Sequence, residues 1–143
     1  MPRIKIIIPE KIITSIDIPV RITDINYGNH LGNDSLISII HEARAQWLAN
    51  INYSEMNIEG ASIIMNELAV NYLNESFYGD LLNIELCIGE ISALSFELFY
   101  NIKTMRNNSS ITIAKAKTGI VFFDYKLKKV MNIPDPFKKI IES

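Results

Sequence analysis

The stretch that decides the fold is RITDINYGNHLGND, residues 21–34, which leads directly into an amphipathic segment at residues 36–47. In that segment the apolar side chains recur at helical spacing and polar side chains fill the positions between them. The apolar set is Leu36, Ile39, Ile40, Ala43 and Trp47, and the polar set is His41, Glu42, Arg44 and Gln46. The spacing predicts one long helix that begins just after two glycines, Gly28 and Gly32.

Alternating apolar and polar residues replace the helical period on both sides of this segment. Alternation typical of half-buried strands occurs at residues 12–22, 68–72, 82–88, 96–102 and 111–123, and turn-forming residues separate these runs. The chain therefore predicts one strand, one helix and four more strands. Because consecutive strands usually pair, we expect an α+β domain in which an antiparallel meander of about five strands wraps around the helix.

Length and composition predict a single domain. The chain has 143 residues, of which 48% are hydrophobic and 21% charged, so we expect one globular core over residues 1–143. The formal net charge of -2 and the absence of a large basic cluster argue against a nucleic-acid partner. The single cysteine, Cys87, excludes an intrachain disulfide and a cysteine metal cluster. The apolar run at residues 6–8 is too short for a signal peptide or a membrane span, so we expect a cytoplasmic protein without membrane contact.

The motifs around the helix resemble those of a known family. Arg21-x-x-Asp24-x-Asn26, then Gly28-Asn29-His30, then Glu42-Ala43-Arg44 resemble in order and spacing the 4-hydroxybenzoyl-CoA thioesterase-like branch of the hot-dog superfamily. Shorter matches follow at residues 72–73, 78–80, 92–96 and 133–134, so the resemblance covers nearly the whole chain. It implies a hot-dog fold, an antiparallel sheet wrapped around one long helix. It also implies hydrolysis of an acyl-CoA or acyl-carrier thioester without a metal or cofactor, by a homodimer or a dimer of dimers.

Thioester hydrolysis needs a polarised carbonyl and a stabilised oxyanion, and a helix N-terminus supplies both. Its first amides lack intrahelical acceptors and carry about half a positive charge. We expect the amides of residues 31–33 to form the oxyanion hole and Asn33 or Asp34 to cap the helix. The candidate substrate-binding residues are Tyr27, Gly28, Leu31, Gly32 and Asn33. A purely structural role, in which the glycines shape a turn and Asn33 caps the helix, is compatible with this one.

The motif departs from the family at the catalytic acid, because the resemblance places that acid at Asn26. An amide cannot accept a proton as a carboxylate does, although it can position a water. The remaining candidates are Asp24, Asp34, Glu42 and His30. Glu42 is equally suited to an ion pair with an arginine, Arg21 or Arg44. The hypothesis is water attack on the thioester, with Asn26 as positioning group and His30 or a nearby carboxylate as base.

Two alternatives stay open. Asp24-x-Asn26 followed by His30 resembles the Asp-x-Asn-Pro-x-His motif of enoyl-thioester hydratases and dehydratases of the same fold. The match is imperfect, because Tyr27 replaces the proline and His30 lies one residue too far along. The other alternative is a non-catalytic acyl-thioester binder, in which Asn26 has removed the chemistry and left the pocket.

Overall fold

The computed structural model describes residues 4–143 and contains the predicted succession of one strand, one helix and four strands. The elements are β1 (Ile12–Pro19), a 3-10 turn (Ile22–Asp24), α1 (Asn33–Asn50), β2 (Ser62–Tyr72), β3 (Leu81–Ile91), β4 (Ser95–Arg106), β5 (Ser109–Asp124), β6 (Lys129–Val130) and α2 (Asp135–Glu142). The two-residue strand β6 and the helix α2 were not predicted. The expected fold class is confirmed: an antiparallel sheet packs around one long helix, which is the hot-dog fold.

The order of the strands corrects the expected meander. The sheet runs β1-β3-β4-β5-β2, with β6 added against β5, so β2 pairs with β5 and not with β3. The links at residues 92–94 and 107–108 are short, and there the meander holds. Residues 73–80 span up to about 26 Å when extended, which exceeds the ~14 Å across three strand spacings. The chain can therefore cross the sheet, which leaves β1 and β2 as its edges.

The predicted apolar stripe of α1 faces the sheet and is buried. Leu36, Ile39, Ile40, Ala43 and Trp47 are each no more than 4% exposed. They join the inward side chains of the strands in one core, and burial of each Leu or Ile side chain contributes about 1.5–3 kcal/mol. This packing fixes the orientation of the helix, and with it the direction in which its N-terminus points.

Arg44 was predicted to lie on the polar, exposed face of α1, but in the structure it is only 5% exposed. Its Nε donates to Glu55 Oε2 at 2.8 Å and its Nη1 donates to Tyr100 Oη at 3.0 Å. Tyr100 Oη in turn lies 2.8 Å from Thr118 Oγ1. Burial alone opposes the charged form of Arg44, but the Tyr100 and Glu55 contacts raise its pKa overall. A paired charge can therefore occupy a core position.

Helix α2 closes the open end of the core. Its Phe137 is fully buried, with ring centroids 5.5–5.9 Å from those of Trp47, Tyr53, Phe96 and Phe122. The helix begins within the predicted break at residues 133–136, and Pro136 lies in its first turn, where proline is tolerated. Within residues 4–143 no helix combines the length and apolar character needed to cross a membrane.

Candidate active site

Asp24 shapes the loop before α1. Its side chain is buried, and its Oδ2 accepts a hydrogen bond from the Arg21 amide at 2.8 Å. Its main-chain carbonyl accepts from the Gly32 amide at 3.0 Å, so Asp24 joins the two ends of the loop. The carboxylate is therefore held over the 3-10 turn, and Asp24 is not part of the lining of the cavity described below.

Asn26 closes the tip of the loop. Its Oδ1 accepts from the amides of Gly28 at 2.9 Å and His30 at 3.4 Å, and its own amide donates to His30 O at 2.9 Å. The turn places Asn29 at a φ of 66°, in the left-handed region that asparagine tolerates. Since Oδ1 is occupied, Nδ2 is the end of the Asn26 side chain that can contact a ligand. Tyr27 lies fully exposed at the tip.

The His30 ring is oriented by the carbonyl beside it. Nδ1 lies 3.2 Å from Leu31 O, and because a carbonyl only accepts, Nδ1 carries the hydrogen in this contact. In the neutral ring Nε2 then holds the lone pair, which is the form that a general base requires. A Cβ on Gly28 would lie 2.9 Å from Nε2, so the glycine leaves the room that the ring occupies.

The start of α1 differs from the expected cap. Gly32 is the N-cap, with φ −72° and ψ 150°, and no side chain caps the helix, so neither Asn33 nor Asp34 is the N-cap. The reason is that Gly32 is already extended and its carbonyl accepts the Leu36 amide at 3.0 Å. Helical geometry thus begins at Asn33, one residue earlier than an Asp34 helix start would need.

The available amides also differ from the expected set. Leu31 donates to Ser76 O at 2.7 Å and Gly32 donates to Asp24 O, so neither amide can serve an oxyanion. Of residues 31–33, only Asn33 has an amide N–H that is free to bind a ligand. The amides of Asp34 and Ser35, in the first turn of α1, are free in the same way. Among residues 4–143 no acceptor is assigned to these three amides. The positive end of the helix dipole is therefore open at Asn33–Ser35.

A cavity of about 230 Å³ lies against this open end. Its lining comprises His30, Leu31 and Gly32 from the loop, Asn33 and Leu36 from α1, residues 72–76 and Ile113. The structure thus brings together four of the predicted residues: His30, Leu31, Gly32 and Asn33. Residues 72–76 and Ile113 were not predicted as site residues. Tyr72-Leu73 matched the family motif in the sequence. The pairing of β2 with the far side of β5 is what brings this segment to the helix.

Two predicted acids lie away from the cavity lining. Glu42 is about 13 Å further along α1 than Asn33, at about 1.5 Å a residue, and lines a separate cleft with Ser38 and Ile39. It accepts from Gln46 Nε2 at 2.7 Å, in place of the ion pair considered with Arg21 or Arg44. Asp34 is exposed on the first turn of α1, where burial and this carboxylate raise the pKa of the neighbouring Tyr72.

The sequence matches the model of the thioesterase-like superfamily over residues 20–141. A solved Pseudomonas aeruginosa protein described as a candidate thioesterase is 18% identical and has a TM-score of 0.83, over 92% of this chain and 99% of that one. The 1,4-dihydroxy-2-naphthoyl-CoA thioesterase from Synechocystis is 21% identical with a TM-score of 0.80, over 90% and 95%. A 4-hydroxybenzoyl-CoA thioesterase with asparagine in place of an aspartate, complexed with 4-hydroxybenzoyl-CoA, is 14% identical with a TM-score of 0.79, over 90% and 97%. No curated protein matches the sequence.

Proposed function

This chain belongs to the thioesterase-like superfamily, and from that membership and the geometry of its loop we propose that it hydrolyses acyl-CoA thioesters at the start of α1. One observation carries the proposal: within residues 4–143 the amides of Asn33, Asp34 and Ser35 have no acceptor, and Asn33, the first of them, lines the cavity. A carbonyl oxygen placed there accepts hydrogen bonds that strengthen as it becomes an oxyanion. The helix dipole favours the same charge, so no metal is needed to polarise the carbonyl.

The proposed base is His30. Its Nε2 removes a proton from a water, whose oxygen forms a bond to the thioester carbonyl carbon, and the carbonyl electrons move to the oxygen at the helix start. The tetrahedral intermediate then breaks its carbon–sulfur bond. The thiolate of coenzyme A leaves and takes the proton from His30, which yields the free acid and the thiol. Leu31 O holds the ring for this cycle through Nδ1.

The proposed role of Asn26 is to hold the attacking water through Nδ2. Its Oδ1 is occupied by two main-chain amides, so the side chain presents its donor end outward. Because residue 26 is an asparagine and cannot act as the base, the proposal assigns the proton transfer to His30.

Coenzyme A is the proposed carrier. Two of the solved relatives act on or bind aromatic acyl-CoA thioesters, as their names state. The likeness of fold to them supports a CoA ester for this chain over a protein-bound acyl group. A cytoplasmic setting agrees with this substrate and with a single cysteine, Cys87, that is buried and unpaired.

We also infer that the chain works as a homodimer joined through β2. Within residues 4–143 this strand pairs on one side only, with β5, so its other edge can extend into a second copy. Leu68 and Tyr72 on this strand, and Leu73 just after it, are each 37–46% exposed. Sedimentation at low micromolar concentration is expected to give a dimer or a dimer of dimers, and a clean monomer would contradict the inference.

The test compares wild type, His30→Ala and a matched control, His41→Ala, on a panel of acyl-CoA esters by release of free thiol. His41 is exposed on the face of α1 away from the core and outside the cavity, so its loss is expected to leave kcat within about threefold. Loss of the base at His30 is expected to lower kcat by about 10²-fold. Equal rates for both variants would contradict the proposal. Loss of crotonyl-CoA absorbance without thiol release would favour a hydratase, and tight binding without turnover a binder.

A further inference from the structure

Arg106, the last residue of β4, holds the segment that follows β2. Its Nη2 donates to Asp80 Oδ2 at 2.6 Å and to the main-chain oxygen of Glu75 at 2.8 Å. Its guanidinium carbon lies 4.9 Å from the centroid of the Phe77 ring. Asp80 Oδ2 also accepts from Ser76 Oγ at 2.8 Å and from the Phe77 amide at 2.9 Å. We call Arg106, Asp80 and Ser76 the clasp, because together they fix residues 75–80 to the end of β4.

The clasped segment contacts both ends of the loop that carries His30. The carbonyl of Ser76 accepts from the amide of Leu31 at 2.7 Å, directly after His30. At the other end Val20 donates to Asp80 O at 2.9 Å, and Val20 O accepts from Gly79 at 3.2 Å. The position of the loop relative to the helix start therefore depends on where residues 75–80 lie.

We propose that Arg106 and Asp80 are positioning residues that hold the loop and the amides at Asn33 in register with the cavity. This rests on the proposed thioester hydrolysis at that site. Neither residue lines the cavity, but each contacts a residue that does: Arg106 donates to Glu75 O, and Asp80 accepts from Ser76 Oγ. A displacement of about 1 Å in a reacting group can cost about 10²-fold in rate, so contacts remote from the thioester can govern turnover.

A role in stability alone makes a different prediction. Arg106–Asp80 is a partly exposed ion pair, and such pairs contribute about 0–1 kcal/mol to folding. Lys103, on the same strand as Arg106, forms a comparable pair with Glu85 of β3 at 3.1 Å. The side-chain exposures are 29% and 22% for Lys103 and Glu85, and 26% and 15% for Arg106 and Asp80. Lys103 does not contact residues 75–80, so it gives a matched control for charge, strand and exposure.

The first readout is turnover, measured as kcat and KM for Arg106→Met, Arg106→Lys and Lys103→Met. Arg106→Met is expected to lower kcat at least about tenfold by misplacing the loop. Arg106→Lys keeps a charged donor for Asp80 but loses the planar group that also contacts Glu75 O and the Phe77 ring, so its kcat is expected between those of Arg106→Met and wild type. Lys103→Met is expected to stay within about threefold of wild type. Wild-type kcat in a folded Arg106→Met, or equal losses in the lysine and methionine variants, would overturn the proposal.

The second readout is hydrogen exchange of the Leu31 amide followed by NMR, which needs no substrate. This amide is bonded to Ser76 O, so loss of the clasp is expected to speed its exchange at least about tenfold while exchange in β3 and β4 is unchanged. If Arg106→Met does not fold, Asp80→Asn is the second variant, because it keeps an acceptor for Ser76 and removes only the charge. Unchanged exchange of the Leu31 amide in the Arg106 or Asp80 variant overturns the positioning role of the clasp, even if the enzyme is active. If the Leu31 amide exchanges faster in the variant but wild type releases no thiol from acyl-CoA esters, the proposed function alone is overturned.

Discussion

Replacing Asn33 by proline deletes one amide hydrogen at the place where the thioester carbonyl is proposed to lie. Asn33 is the first helical residue, and proline is favoured there because that amide has no intrahelical acceptor. Gly32 precedes it with φ −72° and ψ 150°, the extended geometry that a residue before proline prefers. The Asn33 carbonyl, which accepts from Tyr72 Oη at 3.3 Å, remains in place. The substitution is therefore expected to change the free energy of unfolding by less than about 0.5 kcal/mol.

The expected loss of activity is much larger than that loss of stability. Removing one oxyanion donor typically lowers kcat by about 10²–10³-fold, or about 2.7–4 kcal/mol. Because the amides of Asp34 and Ser35 remain, we expect the lower end of that range. Asn33→Ala is the control, since it removes the side chain and keeps the amide, and its kcat is expected within about threefold of wild type.

The assay follows the release of coenzyme A thiol with a thiol reagent. The protein's own Cys87 does not interfere, because it is fully buried and burial, with nearby Glu85, raises the pKa of its thiol to about 11. Equal kcat values for Asn33→Pro and Asn33→Ala in folded protein would refute the assignment of this amide to the oxyanion.

Three further expectations follow from the same contacts. Asn26→Asp keeps an oxygen for the Gly28 and His30 amides and adds a carboxylate base, so kcat is expected to rise at least about tenfold in the thiol assay. A fall in kcat would contradict the placement of residue 26 beside the attacking water. Burial alone would raise the pKa of Asp80, but hydrogen bonds from Arg106, the main chain and a serine lower it overall. The stability that Asp80 adds is thus present above about pH 4 and is lost as the pH falls through its folded-state pKa. The free energies of unfolding of wild type and Asp80→Asn, measured by urea titration, should therefore converge in acid. A difference between them that stays constant from about pH 7 to about pH 3 would contradict this. Phe137→Ala empties the centre of an aromatic cluster and is expected to cost about 3–5 kcal/mol of unfolding free energy by urea denaturation, whereas a cost below about 1 kcal/mol would mean that α2 does not seal the core.

The fold was largely predictable because each element has one apolar period. The stripe of α1 and the alternation of four long strands indicated their type, and burial in the structure follows the same positions. The crossing of β2 was missed because pairing depends on where a connection of eight residues runs, which no local period encodes. Arg44 was assigned to the polar face for a related reason: its partners Glu55 and Tyr100 are distant in the chain.

About half of the candidate site could be predicted. The loop motif indicated His30, Leu31, Gly32 and Asn33, which share the cavity, because loop and helix are continuous in sequence. The other wall, residues 72–76, reaches the loop and the helix start through tertiary hydrogen bonds, from Leu31 to Ser76 O and from Tyr72 Oη to Asn33 O. The N-cap was misassigned because an extended Gly32 can end the loop without any side-chain cap, and residue preferences favour Asn or Asp.

A crystal structure with a non-hydrolysable acyl-CoA analogue, in which a methylene separates the carbonyl from the sulfur, gives the most direct measurement. Hydrolysis at the start of α1 predicts a carbonyl oxygen within about 3.1 Å of the Asn33 or Asp34 amide nitrogen, with His30 Nε2 facing a water beside the carbonyl carbon. A carbonyl bound elsewhere, with those amides facing solvent or a symmetry-related side chain, would contradict it.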